Sequence, residues 1–396
     1  MQKREIHICS ALRTPIGNFH GGYSHTPAVE LGATVIQETL QRAGAGAKKV
    51  GECIMGCVLQ GGLGQAPARQ AWLKGGGDSS VNCTTVNRVC GSGMQAVVSA
   101  SLAMICGEYE LAVAGGMENM TQAMYALPRA RQGYGLGVPA TGLADLLIHD
   151  GLWDPYENLH MGTICERVVN AYGISRERQD AFAIRSYERA LNAQQNGRFN
   201  DEIVPVSIKT KKGERQILED EGPGLFNREK MPNLRPAFDS QHGTITAGNA
   251  SSINDGAAAL LLASAEGCDE NGLTSVARIV GWSTVATQPG NFPLTPAMAV
   301  EKLLEKTGLG QGDIDCIEIN EAFSAVPLLA IDRLKLSEDI VNPLGGAVAL
   351  GHPIGASGAR IVATLISSLK YLGGKRGVAA LCIGGGEGIA LMIELN

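Results

Sequence analysis

Short β-branched runs alternate with stretches of helical period along most of the chain, which predicts strands layered with helices. Residues 6–10 read as a strand, and residues 29–43 carry apolar side chains at helical spacing up to Gly44. A second strand is predicted over 51–59. From about Gly91 a helix presents Met94, Val97, Val98, Leu102 and Ile105 on one face and ends at Gly107; a strand over 111–114 and a turn at Gly115-Gly116-Met117-Glu118 follow. Between 121 and 250 the pattern changes. Charge runs and most aromatic residues gather there, buried-strand runs are few, and a helix is predicted over 177–196. The basic run 209–215 reads as a solvated hairpin tip. Alternation resumes with strands at 257–262 and 277–281, a helix at 296–307 and a strand at 314–319.

One arrangement occurs twice. Gly91-Ser92-Gly93, an apolar helix, a strand and Gly115-Gly116-Met117-Glu118 are echoed by Ala356-Ser357-Gly358, an apolar helix, a strand and Gly384-Gly385-Gly386-Glu387. The repeat predicts a duplicated framework, two similar halves packed on each other, with 121–250 as an excursion from it.

A chain of 396 residues, 44% of them hydrophobic, buries enough surface to fold without disulfide or metal staples. Its 33 basic and 39 acidic residues leave a net charge of -6, which argues against a nucleic-acid partner or a membrane surface held by charge alone. The longest apolar run, 257–265, is far too short to span a membrane. An alternating segment follows Met1-Gln2-Lys3-Arg4-Glu5 at once, with no apolar h-region or small-residue cleavage site, so no signal peptide is expected. The ten cysteines lie mostly in apolar stretches without paired spacing; free thiols and a cytoplasmic setting are expected. Cys53-Ile54-Met55-Gly56-Cys57 has one residue too many for a redox C-x-x-C and no second ligand pair for zinc, so no metal site is predicted. The 52 glycines cluster in short runs, which marks places where backbone must approach something closely.

Four clusters carry candidate chemistry. Cys90, within Asn87-Arg88-Val89-Cys90-Gly91-Ser92-Gly93-Met94, sits where a helix begins, and the helix end is expected to favour its thiolate. His352, between glycine and proline in Gly351-His352-Pro353-Ile354-Gly355, is placed to act as a base. Cys382 ends a strand and is followed by Gly384-Gly385-Gly386, whose N–H groups are candidate oxyanion donors. Asn320-Glu321-Ala322-Phe323 closes an apolar strand. One thiol and a histidine also fit a protease. Two thiols, a histidine and an asparagine suit carbon–carbon chemistry on thioesters better, because one sulfur must carry the acyl group while a second base moves an α-proton.

With these motifs the chain resembles the thiolase family over essentially its whole length, and within it the short-chain acetyl-CoA acetyltransferases. Arg13-Thr14-Pro15-Ile16-Gly17, Gly64-Gln65-Ala66-Pro67-Ala68-Arg69-Gln70, Ala114-Gly115-Gly116-Met117-Glu118-Asn119-Met120 and Ala247-Gly248-Asn249-Ala250-Ser251 complete the set. The resemblance implies an α/β fold, layered αβαβα, built from two duplicated halves with an inserted loop domain. The N-terminal half is 1–120 with 251–274, the loop domain covering coenzyme A is 121–250, and the C-terminal half is 275–396.

It further implies reversible Claisen condensation of two acetyl-CoA to acetoacetyl-CoA and CoA. Cys90 would be the acylated nucleophile, His352 the base that takes its proton, and Cys382 the acid/base at the α-carbon. Asn320, through a water, and His352 would form one oxyanion hole; the N–H groups of Cys90 and Gly384 would form the other. His160 and Met161 would line the pantetheine and acyl tunnel, with Phe238, Ala247, Ser251 and Phe323 along the cofactor's path. No permanently bound cofactor and a homotetramer are implied. Asn291-Phe292-Pro293-Leu294-Thr295-Pro296 is similar to the potassium-responsive members, which leaves a potassium ion open, with no ligands that can be placed. The segment 219–228 carries Gly-Pro-Gly where relatives place an arginine near the nucleotide, which leaves the phosphate contacts open. A broad-range 3-ketoacyl-CoA thiolase, a carrier-protein ketosynthase and a non-catalytic acyl-CoA-binding scaffold are the alternatives.

Overall fold

The computed structural model describes residues 4–131, 133, 142–211 and 213–396. The start of the chain, part of the 121–250 stretch and residue 212 of the basic run lie outside the described residues. Nine strands form one mixed sheet: β1 (Ile6–Arg13), β2 (Glu52–Gly56), β3 (Asn82–Val86), β4 (Leu111–Asn119), β5 (Asn254–Ser264), β6 (Ala277–Ala286), β7 (Cys316–Ile319), β8 (Arg376–Ile383) and β9 (Glu387–Leu395). Their order is β7-β8-β9-β6-β1-β5-β4-β2-β3, with Gly17–Asn18 paired alongside β5. The eight principal helices are α1 (Ala28–Ala43), α2 (Pro67–Lys74), α3 (Ser92–Ile105), α4 (Met161–Tyr172), α5 (Arg176–Gln195), α6 (Thr295–Thr307), α7 (Ala325–Leu334) and α8 (Ile354–Leu372).

The two halves repeat one plan. β1-α1-β2-α2 is matched by β6-α6-β7-α7, and α3-β4-β5 by α8-β8-β9. In each half the last two strands pair antiparallel and the second strand runs parallel to the next-to-last. Strand β3 has a shortened counterpart, since Val341 makes an isolated parallel bridge to Ile317 of β7. Among the described residues the halves meet in the sheet only through His7↔Arg278 and Ile8↔Ala277.

Five layers result. Helices α1 and α2 cover one face of the N-terminal strands, burying Leu31, Ile36 and Trp72 with Val113 and Leu261. The other face shares a core with the C-terminal strands, and α3 and α8 lie within it: Met94, Val97, Ile361 and Leu365 pack with Leu260, Leu262, Leu381 and Leu391. Helices α6 and α7 close the far side, with Val300, Leu303 and Leu329 against Ile317 and Val378. Strands buried on both faces explain why β4, β5 and β8 read as apolar runs rather than as alternation.

The middle helices approach to backbone contact. A Cβ at Gly93 would stand 2.8 Å from the Ala359 nitrogen, and one at Gly358 would stand 2.3 Å from the Met94 nitrogen. Only glycine permits this spacing. One expectation fails here. Gly115-Gly116-Met117-Glu118 is not a turn, because β4 runs straight through it to Asn119, paired residue for residue with β5. The basic run belongs to a hairpin, Val206–Thr210 with Gly213–Ile217, as expected.

Candidate active site

Cys90 lies one residue ahead of Gly91, the N-cap of α3. Its loop is held in an unusual conformation: Val89, a β-branched residue, has φ of 45°, a state that costs on the order of 1–3 kcal/mol. Hydrogen bonds hold the bend. The Val89 N–H donates to Asn87 Oδ1 at 3.0 Å, the Arg88 N–H to Ser92 Oγ at 2.8 Å, and the Ser92 hydroxyl to the Val89 carbonyl at 2.6 Å. Arg88 also donates through Nε to Glu387 Oε2 at 2.8 Å, which ties this loop to the start of β9.

A cavity of about 390 Å³ lies in front of this bend. Its wall includes Cys90, His352, Cys382 and Gly384, together with His160, Met161, Phe238, Ala247, Ser251 and Phe323. Every candidate residue therefore faces one space except Asn320, which stands behind His352. A second groove, also about 390 Å³, shares Ala247, Ser252 and Ile253 with the cavity and carries Leu225, Phe226 and Lys230 further out.

The N–H groups of Gly384 and of Cys90 itself point at the Cys90 sulfur. Burial pushes that thiol up to about 11 despite these donors. This corrects the expectation from the helix end: loss of solvent outweighs dipole and N–H stabilisation. Cys382, the next-to-last residue of β8, is raised still further by burial and by its nearness to Cys90.

His352 is set by its neighbours. Its backbone N–H donates to Asn254 Oδ1 at 3.0 Å, and its Nδ1 lies 2.5 Å from Ser357 Oγ. The Ser357 hydroxyl donates its one proton to the Pro353 carbonyl at 2.9 Å, so it accepts from Nδ1–H. That leaves Nε2 unprotonated, 3.4 Å from Asn320 Nδ2. Burial, reinforced by buried Arg360, lowers the imidazole to about 3. The resting pair is thus a thiol and a neutral imidazole. Asn320 is fully buried, and its Oδ1 has no hydrogen-bond partner among the described residues.

The opposite wall is aromatic. His160 caps α4, its Nδ1 accepting from the Gly162 N–H at 3.0 Å, and stacks on Phe238 with centroids 4.9 Å apart. Phe238 meets Phe323 edge-on at 6.1 Å. A Cβ at Gly162 would stand 2.3 Å from the Phe238 ring, which gives that glycine a packing reason. The Ser251 hydroxyl donates to the Ala322 carbonyl at 3.0 Å, joining this wall to the Asn320 segment. Sequence reading missed Asn254 and the role of Ser357, although Ser357 stands within a quoted motif. Among the described residues no cluster of three or more His, Cys, Asp or Glu is arranged to hold a metal ion.

Comparison with known proteins converges on one family. The thiolase N-terminal domain model matches residues 6–266 and the thiolase C-terminal domain model residues 273–395. An acetyl-CoA acetyltransferase of Yarrowia lipolytica is 47% identical over 388 residues, covering 98% of this chain and 96% of that protein. The mitochondrial acetyl-CoA acetyltransferase of Bos taurus is 46% identical over 98% of this chain and 91% of its own length. A crystal structure of the Bacillus anthracis acetyl-CoA acetyltransferase superposes with a TM-score of 0.96 at 42% identity, covering 100% of this chain and 99% of that one. The Acat5 thiolase from Ascaris suum, in complex with coenzyme A, gives 0.93 at 41% identity over 99% of this chain and all of that one. With both family models matched in order across nearly its whole length, the chain belongs to the thiolase family.

Proposed function

We propose that this protein is an acetyl-CoA C-acetyltransferase, joining two acetyl-CoA into acetoacetyl-CoA and CoA and running the reverse thiolysis. The observation that carries this is the single cavity onto which Cys90, His352 and Cys382 all open, with the Gly384 and Cys90 N–H groups at the sulfur. Relatives named acetyl-CoA acetyltransferase, matched over full length, support the substrate.

In the proposed reaction the Cys90 sulfur attacks the thioester carbonyl while its proton passes to His352 Nε2. The proton moves with the attack, because neither thiolate nor imidazolium is stable at rest. The Cys90 and Gly384 N–H groups receive the developing oxyanion, and CoA leaves as the thiol by taking the Cys382 proton. This leaves acetyl-Cys90, a Cys382 thiolate and a protonated His352 as an ion pair. The Cys382 thiolate then takes an α-proton from the second acetyl-CoA, whose enolate oxygen is held by His352 Nε2–H and by a water on Asn320 Oδ1. The carbanion attacks acetyl-Cys90, and the departing Cys90 sulfur takes its proton back from His352, which restores both thiols and the neutral imidazole. His160 and Met161 border the acyl end; Phe238, Ala247, Ser251 and Phe323 guide pantetheine, and the outer groove takes the nucleotide, with Lys230 as its basic residue.

In the same proposal the half formed by 1–120 and 251–274 supplies Cys90, the half 275–396 supplies His352 and Cys382, and 121–250 covers the cofactor. The protein works as a cytoplasmic homotetramer, and light scattering should read four times the 41.4-kDa chain. Among the described residues no helix is long and apolar enough to cross a membrane, and relatives include mitochondrial proteins. No resident cofactor is needed; rates in potassium and sodium salts at equal ionic strength test for a potassium ion.

The deciding experiment is incubation with acetyl-CoA followed by peptide mass analysis. One acetyl group on the Cys90 peptide is expected, and none in Cys90→Ala. Acetylation elsewhere overturns the mechanism. Equal or better thiolysis of an eight-carbon ketoacyl-CoA than of acetoacetyl-CoA would assign the broad-range enzyme instead.

A further inference from the structure

Glu118 is fully buried near the end of β4 and belongs to none of the roles above. Its carboxylate gathers two separate segments. Oε2 accepts from the Val58 N–H at 2.9 Å and the Gly355 N–H at 2.9 Å; Oε1 accepts from the Leu59 N–H at 3.0 Å, with the Cys57 thiol at 3.7 Å. Residues 57–59 follow β2 of the N-terminal half. Gly355 is the second residue of α8 in the C-terminal half, three residues after His352.

The start of α8 lines the cavity through Ile354, and residues 58–59 back that wall. Val58 and Leu59 pack with Ile354 and Met120, and Val89 and Cys90 lie against that cluster. Helix α8 has no side-chain cap of its own, because its N-cap is Pro353. A carboxylate on its first-turn N–H satisfies an orphan donor and suits the positive helix end. The surroundings are shaped to the carboxylate. A Cβ at Gly355 would stand 2.7 Å from Oε2, and Cβ atoms at Gly56 and Gly116 would stand 2.7 and 2.0 Å from the Gly355 carbonyl. Three glycines thus bring backbone close enough for one side chain to bond both segments. Burial raises this carboxyl to about 7 against the pull of its three N–H partners. A buried charge with such a cost is poor filler, and a methionine or leucine would serve better if packing were the only demand.

We propose that Glu118 is a positioning residue, which holds the backing of Cys90 and the start of α8, and through it His352, in one geometry. This rests on the reading that His352 and Cys90 act together. A glutamine here keeps the shape but turns an NH₂ toward N–H donors, so part of the set must let go.

The test is Glu118→Gln, read as kcat and KM for thiolysis and as the single-turnover rate of Cys90 acetylation. A fall of at least about tenfold in kcat and in acetylation, with KM for CoA within about twofold and an intact fold, is expected. A folded E118Q enzyme with kcat within twofold of wild type overturns the proposal, and so does a change confined to KM. If E118Q does not fold, hydrogen exchange of the wild type decides. The amides of Val58, Leu59 and Gly355 should exchange as slowly as those of β4, and exchange at surface-loop rates refutes the clamp. A wild type without thiolase activity would sink the proposed function while leaving the exchange test of the clamp standing.

Discussion

Gly115-Gly116-Met117-Glu118 and Gly384-Gly385-Gly386-Glu387 occupy the same station in the two halves, after a middle helix and at the end of the strand that follows it. They use glycine for opposite purposes. In the first, the chain stays extended, and a Cβ at Gly115 or Gly116 would stand 2.0 Å from the Ala258 or Gly355 carbonyl. In the second, Gly385 and Gly386 take φ of 87° and 82° to reverse the chain between β8 and β9. A Cβ at Gly384 would meet nothing nearer than Val89 at 3.6 Å, on the wall of the cavity. One copy is closed against its twin half, and the other is left open to a ligand. The glutamates are reciprocal: Glu118 reaches from the N-terminal half to the α8 start behind His352, and Glu387 reaches from the C-terminal half to Arg88 beside Cys90. Duplication preserved the topology while conformation and task diverged.

Four measurements break or sharpen this contrast, in descending size. Gly116→Ala drives a methyl into backbone and should cost more than the ~1–3 kcal/mol of ordinary overpacking, read by urea denaturation. A loss under 1 kcal/mol would mean the halves are not in rigid contact. The second concerns pH. Glu118 titrates near 7 in the fold against an ordinary 4.5, so the folded state holds the proton more tightly than the unfolded chain. Its contribution to stability is therefore greatest below 4.5, declines as pH rises to about 7, and is level above. The wild type's advantage over E118Q should shrink across that window by about 3 kcal/mol, seen in denaturant midpoints at several pH values. A constant difference would show that the carboxyl titrates normally.

Third, Gly386→Ala forces a Cβ into the left-handed region and to 2.6 Å from the Thr287 carbonyl. About 2 kcal/mol of stability should be lost. Smallest, Gly384→Ala should leave stability within about 0.5 kcal/mol. It should nevertheless slow Cys90 acetylation, because the methyl takes up open space at the cavity wall beside the N–H aimed at the Cys90 sulfur. If G384A destabilises as much as G116A, the open and closed copies are not distinct.

Much of this was legible in the chain itself. Apolar runs at 6–10, 257–262 and 314–319 became buried strands, and the helices at 29–43, 177–196 and 296–307 agree to within a residue or so of their ends. The cluster residues were found because chemistry needs sulfur, imidazole and amide at glycine-rich bends. Other features left no local signal. Val89 is a poor candidate for positive φ by residue type, and the hydrogen bonds of Asn87 and Ser92 that hold it there leave no sign in the sequence. Two glycines in a row read as a turn at 115–116 because propensity knows nothing of a neighbouring carbonyl. The thiol of Cys90 was expected to ionise readily, since the helix end is visible in sequence and the depth of burial is not.

The glycine seam between α3 and α8 has a consequence for how such an enzyme can change its diet. With backbone resting on backbone at Gly93 and Gly358, no side chain at that junction can be swapped for a smaller one to widen the gap. On the proposed function, roominess for a longer acyl tail must be carved from the opposite bank, at His160 and Met161, where ordinary side chains do the bounding. The spacing of Cys90 and His352, each just ahead of one of these helices, behaves as a fixed gauge, and appetite is tuned by upholstery.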